Sequence, residues 1–242
     1  MRADLEDAYA AIDWANSQLP LIEQEIETWK GMPPYEIVAE DDLAIGKKLL
    51  RLRIIRYLPP TLNAAVGACI NSFRTSLDLL ASALAVRSGK SPSSSRHFPF
   101  AQTAADFMDP KRMAERKKWL GPADLTIIEA AKPYRGGNDF LYALHQLDIL
   151  RKHERLLRFE VFVSQFSMDV AAAEQGFERV FPWPGFEEDA LIGRTNLNAT
   201  SHDLQLEISV LFHETSFFPA QPIVPLLRQL RGTAHSVVQR FE

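Results

Sequence analysis

The sequence contains a single cysteine, Cys69. One thiol cannot form an intramolecular disulfide, and it cannot supply the set of cysteines that a structural zinc site needs. A chain without disulfides is typical of a reducing compartment, so we expect a cytoplasmic protein. The histidines are scattered and no HExxH motif occurs, so neither a metal site nor a cofactor is expected.

Long apolar runs are also missing. The longest one, residues 79–86, is interrupted by Ser82, whereas a membrane-spanning helix needs about 20 apolar residues. The amino-terminal residues, MRADLEDAYAAIDW, are acidic and amphipathic and lack the layout of a signal peptide. We therefore expect no association with a membrane.

Positive charge is not in excess, because the net charge is −4 and the pI is about 5.9. Proteins that bind nucleic acid through its phosphates are usually basic. The sequence therefore carries no strong nucleic-acid signal, and we expect no tight, sequence-independent binding to duplex DNA or RNA. Two local basic runs, residues 51–56 and 111–118, are typical of solvated faces.

The common catalytic motifs are absent as well. The sequence contains no GxGxxG or GxxxxGK[ST] loop to cradle a phosphate, and no GxSxG turn to present a nucleophilic serine. Any active site would therefore have to be assembled from residues that are distant in the sequence.

What the sequence does contain is a clear periodic pattern of apolar residues. Helical spacing predicts long helices over residues 3–29, 62–87, 138–157 and 222–241. Alternating spacing predicts strands over residues 35–39, 48–57, 158–168 and 203–214, with a shorter strand at 190–194. Either group of strands is too small to be stable alone, so we predict one antiparallel sheet covered by helices.

The predicted fold class is therefore α+β, with long central helices packed on an antiparallel sheet and a helix at the C-terminus. We predict a single domain over residues 1–242. Its helical part covers about 1–30 and 60–157, its strand-rich part about 35–57 and 158–215, and its C-terminal helix 222–241. Five residues on the apolar stripes of the two middle helices should be buried: Phe73, Leu77, Leu80, Leu144 and Leu147.

The helix over 138–157 is apolar on almost every side, which is typical of a central helix. Such a helix cannot turn all its charges to water, and a buried charge needs a partner. We predict that any site lies between this helix and the one over 62–87. The side chains that would form it are Arg74, Asp78, Asp148, Arg151 and His153. The alternative is a satisfied ion-pair network that only sets the register of the two helices.

Two segments carry a resemblance to known proteins. NSFRTSLDLLASAL (71–84) and LYALHQLDILRKHERLL (141–157) resemble paired helical segments of a bacterial family of uncharacterised proteins. PPTLNAAVGACI, which precedes the first segment, and FPF (98–100), which follows it, fit the same likeness. The resemblance extends over about residues 50–160 and the strand-rich tail. Because that family has no assigned activity, the resemblance implies a fold and leaves the function open.

The paired helices also resemble HEPN domains, which are helical bundles found in ribonucleases and toxins and which use an arginine and a histidine separated by four to six residues. The sequence departs from this motif after Arg74, where the corresponding positions hold Leu79, Leu80 and Ala81. Only Arg228 and His235 have the spacing, as chance alone would produce.

We therefore expect a non-enzymatic interaction or structural protein that forms a homo-oligomer. The alternative is a HEPN-like ribonuclease or toxin-type enzyme.

Overall fold

The computed structural model describes residues 2–91, 93, 95–168, 174, 176–180, 188–199, 204–214 and 219–242. A short 3-10 helix, Ala3–Leu5, leads into the first long helix. The α-helices are α1 (Glu6–Gly31), α2 (Pro60–Arg87), α3 (Ala104–Phe107), α4 (Pro110–Lys117), α5 (Pro122–Ala131), α6 (Asp139–His153) and α7 (Ile223–Gln239). The strands are β1 (Tyr35–Asp42), β2 (Lys47–Ile54), β3 (Phe159–Met168), β4 (Glu178–Arg179), β5 (Ala190–Asn196), β6 (Leu204–Phe212) and β7 (Gln221–Pro222). The predicted α+β class is confirmed, and so is the C-terminal helix.

The long helices pack around α2, which contacts α1, α6 and α7. The five apolar residues expected in the core, Phe73, Leu77, Leu80, Leu144 and Leu147, are all completely buried. In the described part of the chain, no helix combines the length and the apolar character that crossing a membrane requires.

Helix α6 contributes to the core, as predicted, but its apolar residues do not pack on every side. α6 contacts α2 and α7, but its remaining side reaches solvent, where Ile149 is 37% exposed. The apolar residues around α6 are therefore only partly used for packing. The helix also ends at His153, four residues earlier than expected.

The early end of α6 has a tertiary cause at Glu214, which lies just beyond β6. The carboxylate of Glu214 accepts two hydrogen bonds from the Arg155 guanidinium, at 2.7 and 2.8 Å, and one from the Arg158 N–H at 2.8 Å. Burial by itself raises the pKa of Glu214, but these donors hold it below its usual range. The contacts draw the chain after His153 out of the helix and toward the end of β6.

The strands form two antiparallel sheets, so the prediction of a single sheet is wrong. The first has the order β1-β2-β5-β4 and the second the order β3-β6-β7. In β6 the alternating residues are buried as the pattern predicts, and this strand packs against α7. The Tyr35 hydroxyl of β1 joins the two sheets, because it accepts from the Leu206 N–H at 2.8 Å and donates to the Leu206 carbonyl at 3.1 Å. The packing of α7 on β6 and this link between the sheets stabilise strands that would be too few alone.

Candidate functional site

The polar face of α2 turns toward α6, and the two helices approach closely at Gly67. A Cβ atom at this position would lie 3.2 Å from Cδ of Arg151, so glycine lets the aliphatic part of Arg151 pack against α2. From there Arg151 donates one hydrogen bond to the side-chain oxygen of Asn71 and another, from Nε, to Asp148 at 3.2 Å.

Asp148 is the acidic centre of this part of the interface. Its side chain is only 6% exposed, and it pairs with both Arg151 and Lys152. These three residues and Asn71 are called the Asp148 network below. Both oxygens of the buried carboxylate have a cationic partner, as burial of a charge requires. The network is therefore a closed contact between α2 and α6.

A second polar group lies farther along the same interface and is centred on Arg74. This residue is 6% exposed, and its Nη1 lies 2.6 Å from Oδ1 of Asp78. Its Nε donates to Nδ1 of His145, on α6, at 3.2 Å. The guanidinium also lies over the ring of Phe100, 4.6 Å from the centroid. These four residues are called the Arg74 group.

The segment after α2 completes the Arg74 group. The Phe98 N–H donates to Oδ1 of Asp78 at 2.9 Å, and Nδ1 of His97 lies 3.4 Å from Oδ2. The ring of Phe100 stacks on His145 at a centroid distance of 4.3 Å and an interplanar angle of 7°. Asp78 therefore anchors the 97–100 segment, which in turn holds the His145 ring in one plane.

The environment of His145 keeps its ring neutral. Burial, and then the positive charge of Arg74, lower the pKa of His145 to about 4. Because Nδ1 accepts the hydrogen bond from Arg74, the proton of the neutral ring is on Nε2. At neutral pH His145 therefore offers one N–H donor and carries no charge.

The Arg74 group forms one wall of a groove with a volume of about 510 Å³. This α4 groove is closed on the other side by α4 and the turn after it. Its lining residues are Arg74, Ser95, His97, Phe98, Pro99, Phe100, Lys111, Arg112, Glu115, Arg116, Trp119 and His145. Four of them are lysine or arginine and one is a carboxylate, so the wall is strongly cationic.

Helix α4 is held in place by its ends and by one buried arginine. The Asp109 carboxylate caps the helix by accepting from the Arg112 N–H at 3.0 Å. Arg116 is 6% exposed, donates to the Phe107 carbonyl at 2.5 Å and lies 4.0 Å from the centroid of the Phe107 ring. Burial, followed by the charge of Arg112, lowers the pKa of Arg116. The expectation that the basic run is a solvated face is therefore wrong for Arg116.

The structure places four of the five predicted site residues in the interface between α2 and α6. Arg74 and Asp78 belong to the Arg74 group, and Asp148 and Arg151 belong to the Asp148 network. His153 is exposed at the end of α6, and its side chain has no hydrogen bond or ion pair to any described residue. The prediction that it joins the cluster is wrong.

The histidine that does join the cluster is His145, and helical spacing could have identified it. His145 precedes Asp148 by three residues, which puts both on one face of α6, whereas His153 follows Asp148 by five. No spacing in the sequence indicates that Phe100 and α4 contribute to the groove, because tertiary packing brings both of them there.

Other chemical sites are not apparent in the described part of the chain. No three histidine, cysteine, aspartate or glutamate side chains converge there as they would around a metal ion. The two residues with HEPN-like spacing have different partners. Arg228 forms an ion pair with Glu23, and His235 contacts the ring of Tyr9. No family model, no curated protein and no solved structure matches the chain.

Proposed function

We propose that the protein is a non-enzymatic binding protein whose α4 groove takes an anionic ligand. The observation that carries this proposal is the unneutralised positive charge at the rim. Lys111 and Arg112 are exposed and line the groove, and neither forms an ion pair with any other described residue. The single lining carboxylate, Glu115, is paired with Lys118. An anion would supply the missing counter-charge.

The inner wall of the groove supports binding rather than catalysis. Arg74 is held by Asp78 and His145, so its position is set before a ligand arrives. His145 is neutral at pH 7 and can donate a hydrogen bond, but with a pKa of about 4 it carries no extra proton to give to a leaving group. The inner wall thus offers fixed donors and a positioned cation, and His145 does not serve it as a general acid at neutral pH.

Calorimetric titration with inorganic phosphate and pyrophosphate tests this proposal. We expect measurable binding to the wild-type chain. Arg112→Ala should weaken it about tenfold, which corresponds to about 1.4 kcal/mol and is close to the lower end of what a hydrogen bond to a charged group contributes. Lys117→Ala is the matched control, because Lys117 is on the same helix, is also exposed and does not line the groove. Equal losses in the two variants, or no binding of either anion to the wild type, would contradict the proposal.

A HEPN-like ribonuclease is the second candidate function. The observation that favours it is the arginine–histidine pair, Arg74 with His145 at 3.2 Å, in the wall of a groove. Incubation with single-stranded RNA tests it. The binding proposal predicts no cleavage, whereas cleavage that disappears in His145→Gln, with the thermal melt retained, would favour the enzyme.

A homo-oligomer in the cytoplasm is also part of the proposal. The single cysteine supports a reducing compartment, and the Cys69 thiol is buried. Exposed apolar side chains support self-association, because Leu21, Met32 and Tyr57 surround a second groove of about 540 Å³ beside the C-terminal half of α1. Light scattering during size-exclusion chromatography should show a species larger than 27.4 kDa, and a monomer at every concentration would contradict it.

A further inference from the structure

We infer that the α4 groove binds a nucleoside monophosphate, with the base against Trp119 and the phosphate between Lys111 and Arg112. This inference rests on the proposed anion-binding function and names its ligand class. Both the size of the groove, about 510 Å³, and its mixture of aromatic walls and cations suit a small organic anion.

The arrangement of α4 sets the distance between the two parts of the ligand. Arg112 and Trp119 are seven residues apart and both line the groove. The turn after α4 stays tight, because the Trp119 N–H donates to the Arg116 carbonyl at 3.1 Å. With a rise of about 1.5 Å per residue, the cationic rim and the indole are separated by roughly 10 Å along this face. A 5′-nucleotide in an extended form separates its base from its phosphate over a comparable length.

The charges favour a phosphate monoester over a singly charged carboxylate. A phosphate monoester carries about −1.5 to −2 at neutral pH. Lys111 and Arg112 supply two positive charges without an acidic partner among the described residues. The number of free cations at the rim thus matches the charge of one terminal phosphate.

The aromatic side of the groove provides a surface for the base. Trp119 is half-buried and packs against the hydrophobic core, so its ring is held in place. Its indole N–H makes no hydrogen bond to another described residue. Stacking of a base on an aromatic side chain contributes about 1–3 kcal/mol, independently of which base it is. His145, farther in, adds the Nε2–H donor for a ring nitrogen or carbonyl of the ligand.

A single nucleotide is compatible with the expectation that duplex nucleic acid does not bind tightly. A base in a duplex is stacked on its neighbours and cannot reach the indole, whereas a free nucleotide presents an open ring face. The overall charge of −4 opposes a polyanion but has little effect on one small ligand that contacts a local cationic rim.

The test is calorimetric titration of the wild-type chain with AMP, ribose 5-phosphate, adenosine and inorganic phosphate. We expect AMP to bind at least tenfold more tightly than each of the other three. Trp119→Leu should remove this advantage and leave the affinity for ribose 5-phosphate unchanged, while Trp119→Phe, which keeps an aromatic ring in the same packing, should retain most of it.

The outcomes separate this inference from the function on which it rests. If AMP binds no more tightly than ribose 5-phosphate to the wild type, the nucleotide inference is overturned and the anion-binding proposal stands. If AMP, ribose 5-phosphate, inorganic phosphate and pyrophosphate all fail to bind, the proposed function itself fails. The comparison of AMP with ribose 5-phosphate on the wild-type chain needs no variant, so it is decisive even where Trp119→Leu does not fold.

Discussion

The Asp148 network and the Arg74 group lie in the same interface between the same two helices, but they differ in their surroundings, because the Arg74 group lines the α4 groove. In the first, the Asp148 side chain is 6% exposed and is enclosed by its own cations. In the second, Arg74 is almost as deeply buried, at 7% side-chain exposure, but it contributes to the lining of the α4 groove. Burial of a charge therefore does not by itself distinguish an ion pair inside a helix interface from one that lines a groove.

The Asp148 network and the Arg74 group differ in the elements that cover them. At the Asp148 network, Arg151 and Lys152 come from α6 itself and approach Asp148 one turn away. At the Arg74 group the cover comes from the 97–100 segment and from α4, which leave a space between them. Ion-pair partners from the same helix fill the space around a buried charge. Elements from elsewhere in the chain can cover it and still leave a groove.

Leu77→Ala should have the largest effect, because Leu77 lies on the buried face of α2. Its side chain is completely buried, and removing it should lower the free energy of unfolding by about 2–5 kcal/mol. Chemical denaturation measures this loss. Leu43→Ala, at a residue 81% exposed, is the control and should change stability by less than about 0.5 kcal/mol. A similar small loss at Leu77 would mean that the core is not centred on α2.

Asp148→Ala should have the next largest effect and should act on stability alone. The substitution removes hydrogen bonds to charged groups in a buried network and should cost about 1–3 kcal/mol. Phosphate affinity at the α4 groove should not change. Asp13→Ala, at an exposed aspartate of α1, controls for the loss of one negative charge. If Asp148→Ala abolishes phosphate binding while the chain stays folded, the Asp148 network and the α4 groove do not act independently.

Stability should also fall with decreasing pH in a way that depends on His145. Burial and Arg74 lower its pKa to about 4 in the folded chain, whereas an unfolded histidine has a pKa of about 6.5. The unfolded state therefore binds a proton first, so the stabilisation is complete above pH about 6.5 and is lost as the pH falls toward 4.

Thermal melts between pH 7.5 and pH 4 measure this dependence. His145→Gln keeps an acceptor for Arg74 but cannot titrate, so its melting temperature should fall less steeply over the interval. His153→Gln, at the exposed histidine of the same helix, should retain the slope of the wild type. Identical slopes in all three chains would show that the neutral ring contributes nothing to the pH dependence.

Arg112→Ala should have the smallest effect on stability of the four substitutions. The side chain is exposed and has no ion pair to a described residue. The free energy of unfolding should therefore change by less than about 0.5 kcal/mol. Binding of inorganic phosphate should nevertheless weaken about tenfold. Together, this variant and Asp148→Ala would show whether the Asp148 network contributes to stability while the α4 groove contributes to phosphate binding. A large loss of stability here would mean that Arg112 has a structural role.

Much of the secondary structure could be predicted from apolar spacing. The alternation in β6 and the stripe that contains Phe73 and Leu77 are confirmed, because each pattern reflects one buried face of a regular element. The end of α6 could not be predicted, since it depends on Glu214, 61 residues after His153. The division of the strands into two sheets had no local signal either, because β5 pairs with β2 across more than a hundred residues.

For the candidate site, the sequence alone determined which helix faces carry charge. The spacing of Arg74 with Asp78, and of Asp148 with Arg151, is a property of a single helix and requires no knowledge of the fold. Only the tertiary structure decided that His145 rather than His153 joins Arg74, that Arg116 is buried, and that α4 faces the 97–100 segment across a groove. The reason is physical: helical periodicity sets which residues share a face, whereas the packing of separate elements sets which faces meet and where space remains between them.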